Sequence, residues 1–487
     1  MSDKQQLTRR TFLVSTAGIA GASAAAAFAP AAAAMPAMPP KKWASQTDVV
    51  VAGGGVAGCM AALEAANGGA RVLLLQATPD LGGNSRISSA WIRSANTRWH
   101  KAQGIVDSAA AYEQDILDYG AGTRDPKKAK VLAAGSAEFV DRLIDYGVKF
   151  ADDKDTANGG PTLRVPKVDG RGEALMKAVG AKVRAHKNIT VKTDARIVEV
   201  FRGGKQHEVI GVLADIEGEE VAIGARAVVL ATGGFGRNQA LVEKFTNQWK
   251  DTARIMDVEA KGDGMLIANA HGAGVANLNI AMVTPTMEVT KKIFYSSAPI
   301  LNGAIFLNEQ GKRFVNEYII YTTTNIEMLK QKATYEIVTE DLHPLVHEMI
   351  KNGVTTRADS IEELAAKLGA PVANVRFEIE EHNRITALKD KRVDRFGRTV
   401  FSKQLKAPFY FLRVHPVMIE TVGGITINEK SEVVSLSGKP VAPGFYAAGA
   451  VAFGEHFGRG YRSGDAYVYS GVTGMVAGRE AARLVKA

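Results

Sequence analysis

A single cysteine, Cys59, occurs in 487 residues, which excludes an internal disulfide, a four-cysteine zinc site and a Cys-x-x-Cys-His haem attachment. Electrons handled by this protein do not pass through a haem of its own. Long apolar runs are also missing: beyond the first 34 residues nothing approaches the roughly 18 apolar residues of a membrane-spanning helix. There is no basic stripe with interleaved aromatics. The net charge is +9, or +7 once Lys4, Arg9, Arg10 and Asp3 are set aside; it fits solubility or attraction of anionic small molecules rather than nucleic acid. His343 and His347 have His-x-x-x-His spacing, but Pro344 follows the first and no glutamate lies between them, so they read as a helix-start pair and no metal is expected. What is present is 46% apolar and 23% charged sequence with 49 Gly and 16 Pro, the composition of a globular chain. At this length two domains are expected.

The chain begins with Thr8-Arg9-Arg10-Thr11-Phe12-Leu13-Val14 and an Ala/Gly-rich stretch to Ala34. Paired arginines before a weakly apolar segment and a small-residue cleavage region resemble a twin-arginine export signal, which predicts a periplasmic or extracytoplasmic protein. A membrane anchor is the competing reading, disfavoured because alanine and glycine bury little apolar surface. Residues 1–34 are therefore expected to be the signal and 35–45 a linker. Twin-arginine export carries folded proteins, which hints at a tightly held cofactor.

Asp48-Val-Val-Val-Ala52 has the β-branched run of a buried parallel strand, and Gly53-Gly-Gly-Val-Ala-Gly58 follows at once. Strong helix formers continue from Cys59, and Ala70-Arg-Val-Leu-Leu-Leu75 is a second strand. Strand, glycine turn, helix and strand within about 30 residues is the context that makes a Gly-x-Gly-x-x-Gly specific for a dinucleotide. Gly53 permits the turn, Gly55 lets a pyrophosphate approach the backbone beside Val56 and Ala57, and Gly58 lets the helix lie close. The phosphates would sit at the helix N-terminus. Gln76 stands where an acidic residue normally holds a ribose; its amide can still hydrogen-bond a hydroxyl. Cys59 reads as a small core residue.

From Asp48 onward the chain resembles the flavoprotein subunits of fumarate reductase and succinate dehydrogenase, and especially the soluble periplasmic fumarate and urocanate reductases. The motifs occur in the family's order: Gly82-Gly83-Asn84-Ser85-Arg86, Ala231-Thr232-Gly233-Gly-Phe-Gly236, Gly262-Asp263-Gly264, Gly311-Lys-Arg-Phe-Val-Asn-Glu317, Asp394-Arg-Phe-Gly-Arg398, Gly423-Gly-Ile-Thr-Ile427 and Phe445-Tyr-Ala-Ala-Gly449. The resemblance implies an α/β fold. A Rossmann-like FAD-binding domain at 46–281 and 419–487 would be interrupted by a mobile α+β capping domain at 282–418, with substrate between cap and flavin. It also implies FAD contacts from these loops, from Gly449 and Ala450, and from Ser463-Gly464-Asp465-Ala466. Ala450 replaces a ribityl-binding glutamate, and no covalent flavin histidine is seen near Ser85, so the FAD is expected to be non-covalent.

The family's chemistry is altered. Its proton-donating arginine corresponds to Tyr321, and Ser296 to Asn302 contains no ionisable side chain of the relay that feeds it. The carboxylate-binding segments appear as Thr284-Pro285-Thr286 and, for a histidine, as Glu420. A carboxylate at 420 would repel a substrate carboxylate unless protonated or paired, which argues against fumarate. Arg462 or Arg459 could retain the anion-binding role; Tyr318 and Tyr461 are further substrate or donor candidates. Each has a structural alternative: Tyr321 as a core aromatic, Glu317 as a loop anchor, Arg462 as a solvated charge.

These features predict an exported FAD-dependent reductase of an activated carbon–carbon double bond. Electrons would come from a separate cytochrome or quinol-linked donor, and neither nucleic acid nor a membrane span in the mature chain is expected. Tyr321, Glu420 and Arg462 are the expected catalytic groups. Two alternatives stay open: a ketone or ketosteroid-type dehydrogenase that introduces the double bond, and a non-catalytic flavin electron carrier.

Overall fold

The computed structural model describes residues 38–120, 122–151, 164–318, 321–457 and 461–487, with the backbone alone at Tyr321 and Thr322. The leader at 1–34 and Arg459 lie outside the described residues. Four runs, Val49–Ala52, Val72–Leu75, Ala227–Leu230 and Phe445–Ala447, are buried at every position. Strands covered on both faces are continuously apolar rather than alternating. With Ile189–Lys192 they form a parallel sheet in the order 445–447, 227–230, 49–52, 72–75, 189–192. An antiparallel ribbon of Ala195–Gly203, Glu208–Ile216 and Glu219–Gly224 stands beside it, edged by Ser45–Gln46.

The helix Val56–Asn67, which leaves the glycine turn, is buried along almost its whole length against the C-terminal helix Asp465–Lys486. Small residues make that approach possible. A Cβ on Gly474 would lie 2.3 Å from the Ala57 carbonyl oxygen, and one on Gly478 would lie 2.3 Å from that of Ala61.

The side chains fall into two apolar cores. One gathers residues from 49–283 and 418–481, the other residues from 295–414. The second is built on a sheet in the order Ala281–Glu288, Phe409–Thr421, Thr334–Thr339, Ile305–Asn308. The two strands that run between the cores, 281–288 and 409–421, pair antiparallel with Met282 opposite Glu420, and irregularities interrupt the register at 282/283 and 284/287. Val283 and Met418, placed by sequence just inside the cap, pack in the larger core. No helix among the described residues is long and apolar enough to cross a membrane.

Two of the family-like segments meet inside the smaller core. Glu317 accepts from Arg313 Nε at 2.8 Å, Arg313 Nη2 at 2.6 Å, Arg398 Nη1 at 3.1 Å and the Phe306 N–H at 3.1 Å. Arg313 also donates to Asp394 at 2.7 Å. Burial would raise Glu317, but Arg313 and then Arg398 outweigh it and hold the carboxyl at about 2. Glu317 is thus a buried loop anchor, the structural alternative weighed for it. His343 Nδ1 accepts from Leu345 N at 3.0 Å and caps the helix Pro344–Lys351, as expected of a helix-start residue.

Glu336, on the strand Thr334–Thr339, is completely buried, and neither carboxyl oxygen has a hydrogen-bond partner. Burial pushes its carboxyl up to about 8. An unfolded glutamate ionises near 4.5, so between there and about 8 the folded state holds a proton that the unfolded chain has lost, and stability falls as pH rises. Replacing Glu336 by Met, similar in shape and uncharged, is expected to flatten that fall. By linkage the gain at pH 8 is on the order of a few kcal/mol. Thermal unfolding followed from pH 5 to 8 checks this; parallel curves for wild type and variant would refute it.

Candidate active site

The parallel strands end on one side of the sheet, where ligands of open α/β folds bind. Gly53, Gln76, Ala231 and Ala448 follow directly after the last residues of four of them. At this edge lies a cleft of about 1820 Å³, part of it open to solvent. Its lining comes from the glycine turn, the 83–91 segment, the 231–233 and 255–263 turns, and residues 450–470.

The three glycines of the first motif do different work. Gly53 has φ +112°, and a Cβ there would lie 2.2 Å from the Ala231 oxygen; a Cβ on Gly58 would lie 1.8 Å from the Gly53 oxygen. Both are demanded by the protein's own packing. A Cβ on Gly55 would meet only Ser85 Oγ at 3.6 Å and the Gly82 oxygen at 3.7 Å, ordinary contact distances. Gly55 leaves the helix N-terminus without a side-chain cap and lines the cleft, so the space it preserves is a ligand's. Gly233 faces open space and Gly83 nearly so. Backbone cradles at a helix N-terminus suit a pyrophosphate.

Side chains tie these loops together. Gln76 accepts from Gly54 N at 2.7 Å and donates to Thr78, so its amide braces the glycine turn from the cleft wall. Ser85 Oγ accepts from Val56 N at 3.1 Å, and Thr232 Oγ1 accepts from Gly264 N at 3.2 Å. Asp263 lines the cleft beside Arg196 and Glu259, and Arg196 is ion-paired with both carboxylates. Cys59 donates to the Gly54 oxygen at 3.3 Å, and burial pushes its thiol up to about 12, so it is an inert packing residue.

Most residues singled out from sequence do line this cleft: Gly53, Gly55, Val56, Ala57, Gln76, Gly83, Asn84, Ser85, Ala231, Thr232, Gly233 and Asp263 from the first half of the chain, and Thr284, Glu420, Ala450, Tyr461, Ser463, Gly464 and Ala466 from the second. Gly58, Gly449 and Tyr318 do not; Gly449 packs on the glycine-turn helix, where a Cβ would lie 2.7 Å from Ala57 Cβ. Tyr321 opens the helix Tyr321–Leu329, and its side chain lies outside the described residues. That helix is fastened to the cleft strand by Asn325 Nδ2 donating to the Val283 oxygen at 2.6 Å.

Arg462 and Asp465 need correction. Neither lines the cleft; both are buried behind it. Arg462 donates to Asp115 at 3.0 Å, lies 3.5 Å from Asp465 and sits over the Tyr119 ring. Asp465 also lies 3.3 Å from Arg93 and 3.2 Å from Arg124. Burial would raise Asp465, but Arg462, Arg124 and Arg93 hold it at about 2. Arg93 in turn donates from Nη2 and from its backbone N to the oxygens of Ser463 and Gly464, both at 3.2 Å. These charges fix the turn that presents Ser463, Gly464 and Ala466 to the cleft. Tyr461, one residue before Arg462, is the side chain that reaches it. Burial raises the Tyr461 phenol, while the N–H groups of Gly464 and Ala466 act to lower it.

At the far end, Thr284 Oγ1 lies 3.1 Å from Thr286 Oγ1 and 3.4 Å from Ser297 Oγ. Ser296, Ser297 and Phe294 complete this wall with Met282 and Ile419. Glu420 accepts from Asn84 Nδ2 at 2.6 Å and from Thr421 N at 2.9 Å. Burial raises its carboxyl to about 7, with Asp257 adding to the rise and the two N–H donors opposing it. Arg196 is the only lysine or arginine among the described residues that line the cleft. Arg196, Asp257, Glu259 and Tyr467 were not anticipated. The first three carry no local motif, whereas Tyr467 directly follows Ala466 and the helix start could have revealed it.

An extended backbone cradle that continues into a hydroxyl-lined chamber defines a dinucleotide-binding flavoprotein. The family model described as FAD binding domain matches residues 48–466, and the chain belongs to that family, as a fumarate reductase-like FAD-dependent oxidoreductase. It is 30% identical to the fumarate reductase (cytochrome) of Shewanella frigidimarina over 90% of this chain and 77% of that protein. It is also 30% identical to the NADH:fumarate oxidoreductase of Klebsiella pneumoniae over 90% of this chain, but spans only 48% of that protein's length. Among solved structures, the open conformation of a flavocytochrome c3 fumarate reductase superposes with TM-score 0.76 and 28% identity, covering 91% of this chain and 79% of that one. The 3-ketosteroid-Δ4-(5α)-dehydrogenase of Rhodococcus jostii RHA1 superposes with TM-score 0.72 and 26% identity, covering 92% and 99%.

The residues present fit FAD: Gly55, Gly83 and Gly233 leave room for it, and the N-terminus of the helix Val56–Asn67, whose first N–H goes to Ser85, opens onto the cleft where the FAD phosphates would bind. A Gly55→Ala variant is expected to fold with unchanged thermal stability as apoprotein and to lose FAD affinity by at least tenfold, because the new methyl enters ligand space alone. Gly53→Ala should instead unfold or misfold the protein. Unfolding of the apoprotein and FAD titration separate the two, and an apoprotein destabilised equally by both changes would contradict the assignment.

Proposed function

We propose that this chain is an exported reductase of an activated carbon–carbon double bond, an unsaturated acid, arylacrylate or enone and not fumarate. Bound FAD, when reduced, supplies the hydride. The observation that carries the proposal is the substrate wall, where hydroxyls and a buried carboxyl replace basic groups. Among the described lining residues the one cation, Arg196, is already paired with Glu259 and Asp263, so a dianion finds no free counter-ion there. Tyr321 donates the proton to the carbon next to the one that takes the hydride. Tyr461 and Thr284, which line the cleft, supply substrate contacts. Segment 282–418 acts as a cap whose closure excludes water. Its supports are the two apolar cores and the single pair of strands joining them. Electrons arrive from a separate cytochrome or quinol-linked donor, and the reaction runs outside the cytoplasm, a reading supported by the likeness of residues 1–34 to a twin-arginine signal.

The test uses the FAD-loaded protein, reduced chemically and offered unsaturated acids, arylacrylates and enones. Reoxidation of the flavin by at least one is expected; none, with FAD fully bound, refutes the proposal. Tyr321→Phe keeps the ring and removes the acid, so turnover should fall by roughly 10²–10⁴ with FAD content unchanged. Near-normal turnover with a lowered Tm would assign Tyr321 to packing.

The ketone dehydrogenase reading is favoured by the full-length likeness to the Rhodococcus enzyme and by Tyr461, a phenol held at a helix N-terminus inside the cleft. Oxidised enzyme turning over a saturated ketone with an artificial electron acceptor, faster than reduced enzyme turns over the corresponding enone, would decide for it.

A further inference from the structure

Glu420 is a buried acid at the cleft wall whose two oxygens are already engaged. Asn84 Nδ2 donates to Oε2 and Thr421 N to Oε1. The Asn84 amide cannot be reversed, because its Oδ1 accepts the Asp257 N–H. Among the described residues no cation faces Glu420: the charge acting on it is Asp257, another carboxylate, itself raised by burial. Arg86, Arg237 and Lys261 act on Asp257 rather than on Glu420, and Arg237 spends two N–H groups on the Met256 oxygen. Burial beside a like charge with no counter-ion favours the neutral acid. Such an acid carries an O–H that needs an acceptor, and the space it opens onto is the chamber walled by Met282 and Thr284.

We propose that Glu420, as a neutral carboxylic acid, donates a hydrogen bond to a carbonyl oxygen of the substrate and thereby commits the cleft to double bonds conjugated to a neutral carbonyl, enones above all. This deepens the reductase reading and rests on it. In the step it assists, the alkene takes a hydride at its β carbon and its π pair moves onto the carbonyl oxygen. That pair then returns to the α carbon, which takes the Tyr321 proton. The two electrons come from reduced FAD, and Glu420 keeps its proton throughout. A donor aimed where the negative charge grows lowers the barrier, and a carboxyl kept neutral by its surroundings can serve as one. An ionised Glu420 would repel both the enolate and any carboxylate substrate, so the donor is present at low pH and lost as pH rises through about 7.

The test has two arms on the FAD-loaded protein. Infrared difference spectra between pH 6 and 8, without substrate, should show a protonated carboxyl band that disappears above pH 7 and is missing in Glu420→Gln; the separate band of Glu336 is identified with Glu336→Met. No Glu420 band at pH 6 overturns the proposal. In the second arm, 2-cyclohexenone and 4-androstene-3,17-dione are added to oxidised enzyme at pH 6. At least one should shift the Glu420 band to lower frequency, whereas acrylate should not. Absence of a shift with both enones overturns the assignment, even where acrylate or cinnamate reoxidises the reduced flavin and so upholds the broader function. Glu420→Ala is expected to lower kcat on the shifting enone by roughly 10²–10³ with FAD content kept. Glu420→Gln, still a donor, should lose less and lose the pH dependence near 7. Equal pH profiles in wild type and the Gln variant count against it.

Discussion

The backbone contact between the helix after the glycine turn and the last helix of the chain governs the rest of the architecture. Gly474 and Gly478 sit directly on the carbonyls of Ala57 and Ala61, at distances that no Cβ tolerates. Residues from opposite ends of the sequence are thereby drawn to one edge of the parallel sheet. The turn at 463–466, which begins the last helix, consequently enters a cleft whose floor is laid by residues 53–57. A bulkier residue at either glycine would push the helices apart and withdraw one wall of the site, not merely weaken a core. Stability and site assembly are here the same packing event.

Two buried charge clusters hold segments that apolar packing alone would leave loosely specified. Asp465 among Arg93, Arg124 and Arg462 pins the turn under the cleft, while Glu317 between Arg313 and Arg398 joins the 311–317 and 394–398 segments in the smaller core. Such pairs add little net stability over apolar substitutes, yet breaking one strands a buried charge. Their value is geometric: each demands a unique arrangement of its partners. The Asp465 cluster lies behind the cleft wall, so rigidity is supplied there without exposing its ionic groups to the cleft.

The fold was legible because its cues are local. A β-branched strand, a glycine turn and a helix in succession identify a dinucleotide crevice, and the ordered motifs from Gly82 to Gly449 locate its other loops. What local reading could not give is which way a side chain points at a helix start. Arg462 and Tyr461 are neighbours, and one residue of rotation puts the phenol in the cleft and the guanidinium behind it. Asp465 turns inward for the same reason. Arg196 and Glu259 come together only through the fold, and neither carries a pattern of its own. Glu420 was recognisable as a departure, but its neutral character depends on burial, on Asp257, far away in sequence, and on the absence of a nearby cation among the described residues.

Charge is distributed in this molecule by depth. The Asp465 cluster is sunk behind the cleft, Arg196 pairs with Glu259 and Asp263 in its wall, and the walls toward the hydroxyl-lined end offer serine, threonine, tyrosine and a carboxyl raised toward neutrality. Even Ala450 fits this division: it adds no carboxylate at its own position, while Ser470 and Tyr467 on the adjoining helix place hydroxyls in the same lining. A charged ligand carried from water into such a place would lose its hydration without gaining a counter-ion. A neutral carbonyl loses far less and gains donors in exchange. Selection against anions in the proposed reaction therefore needs no clashing side chain, since the lack of an unpaired cation among the described lining residues suffices.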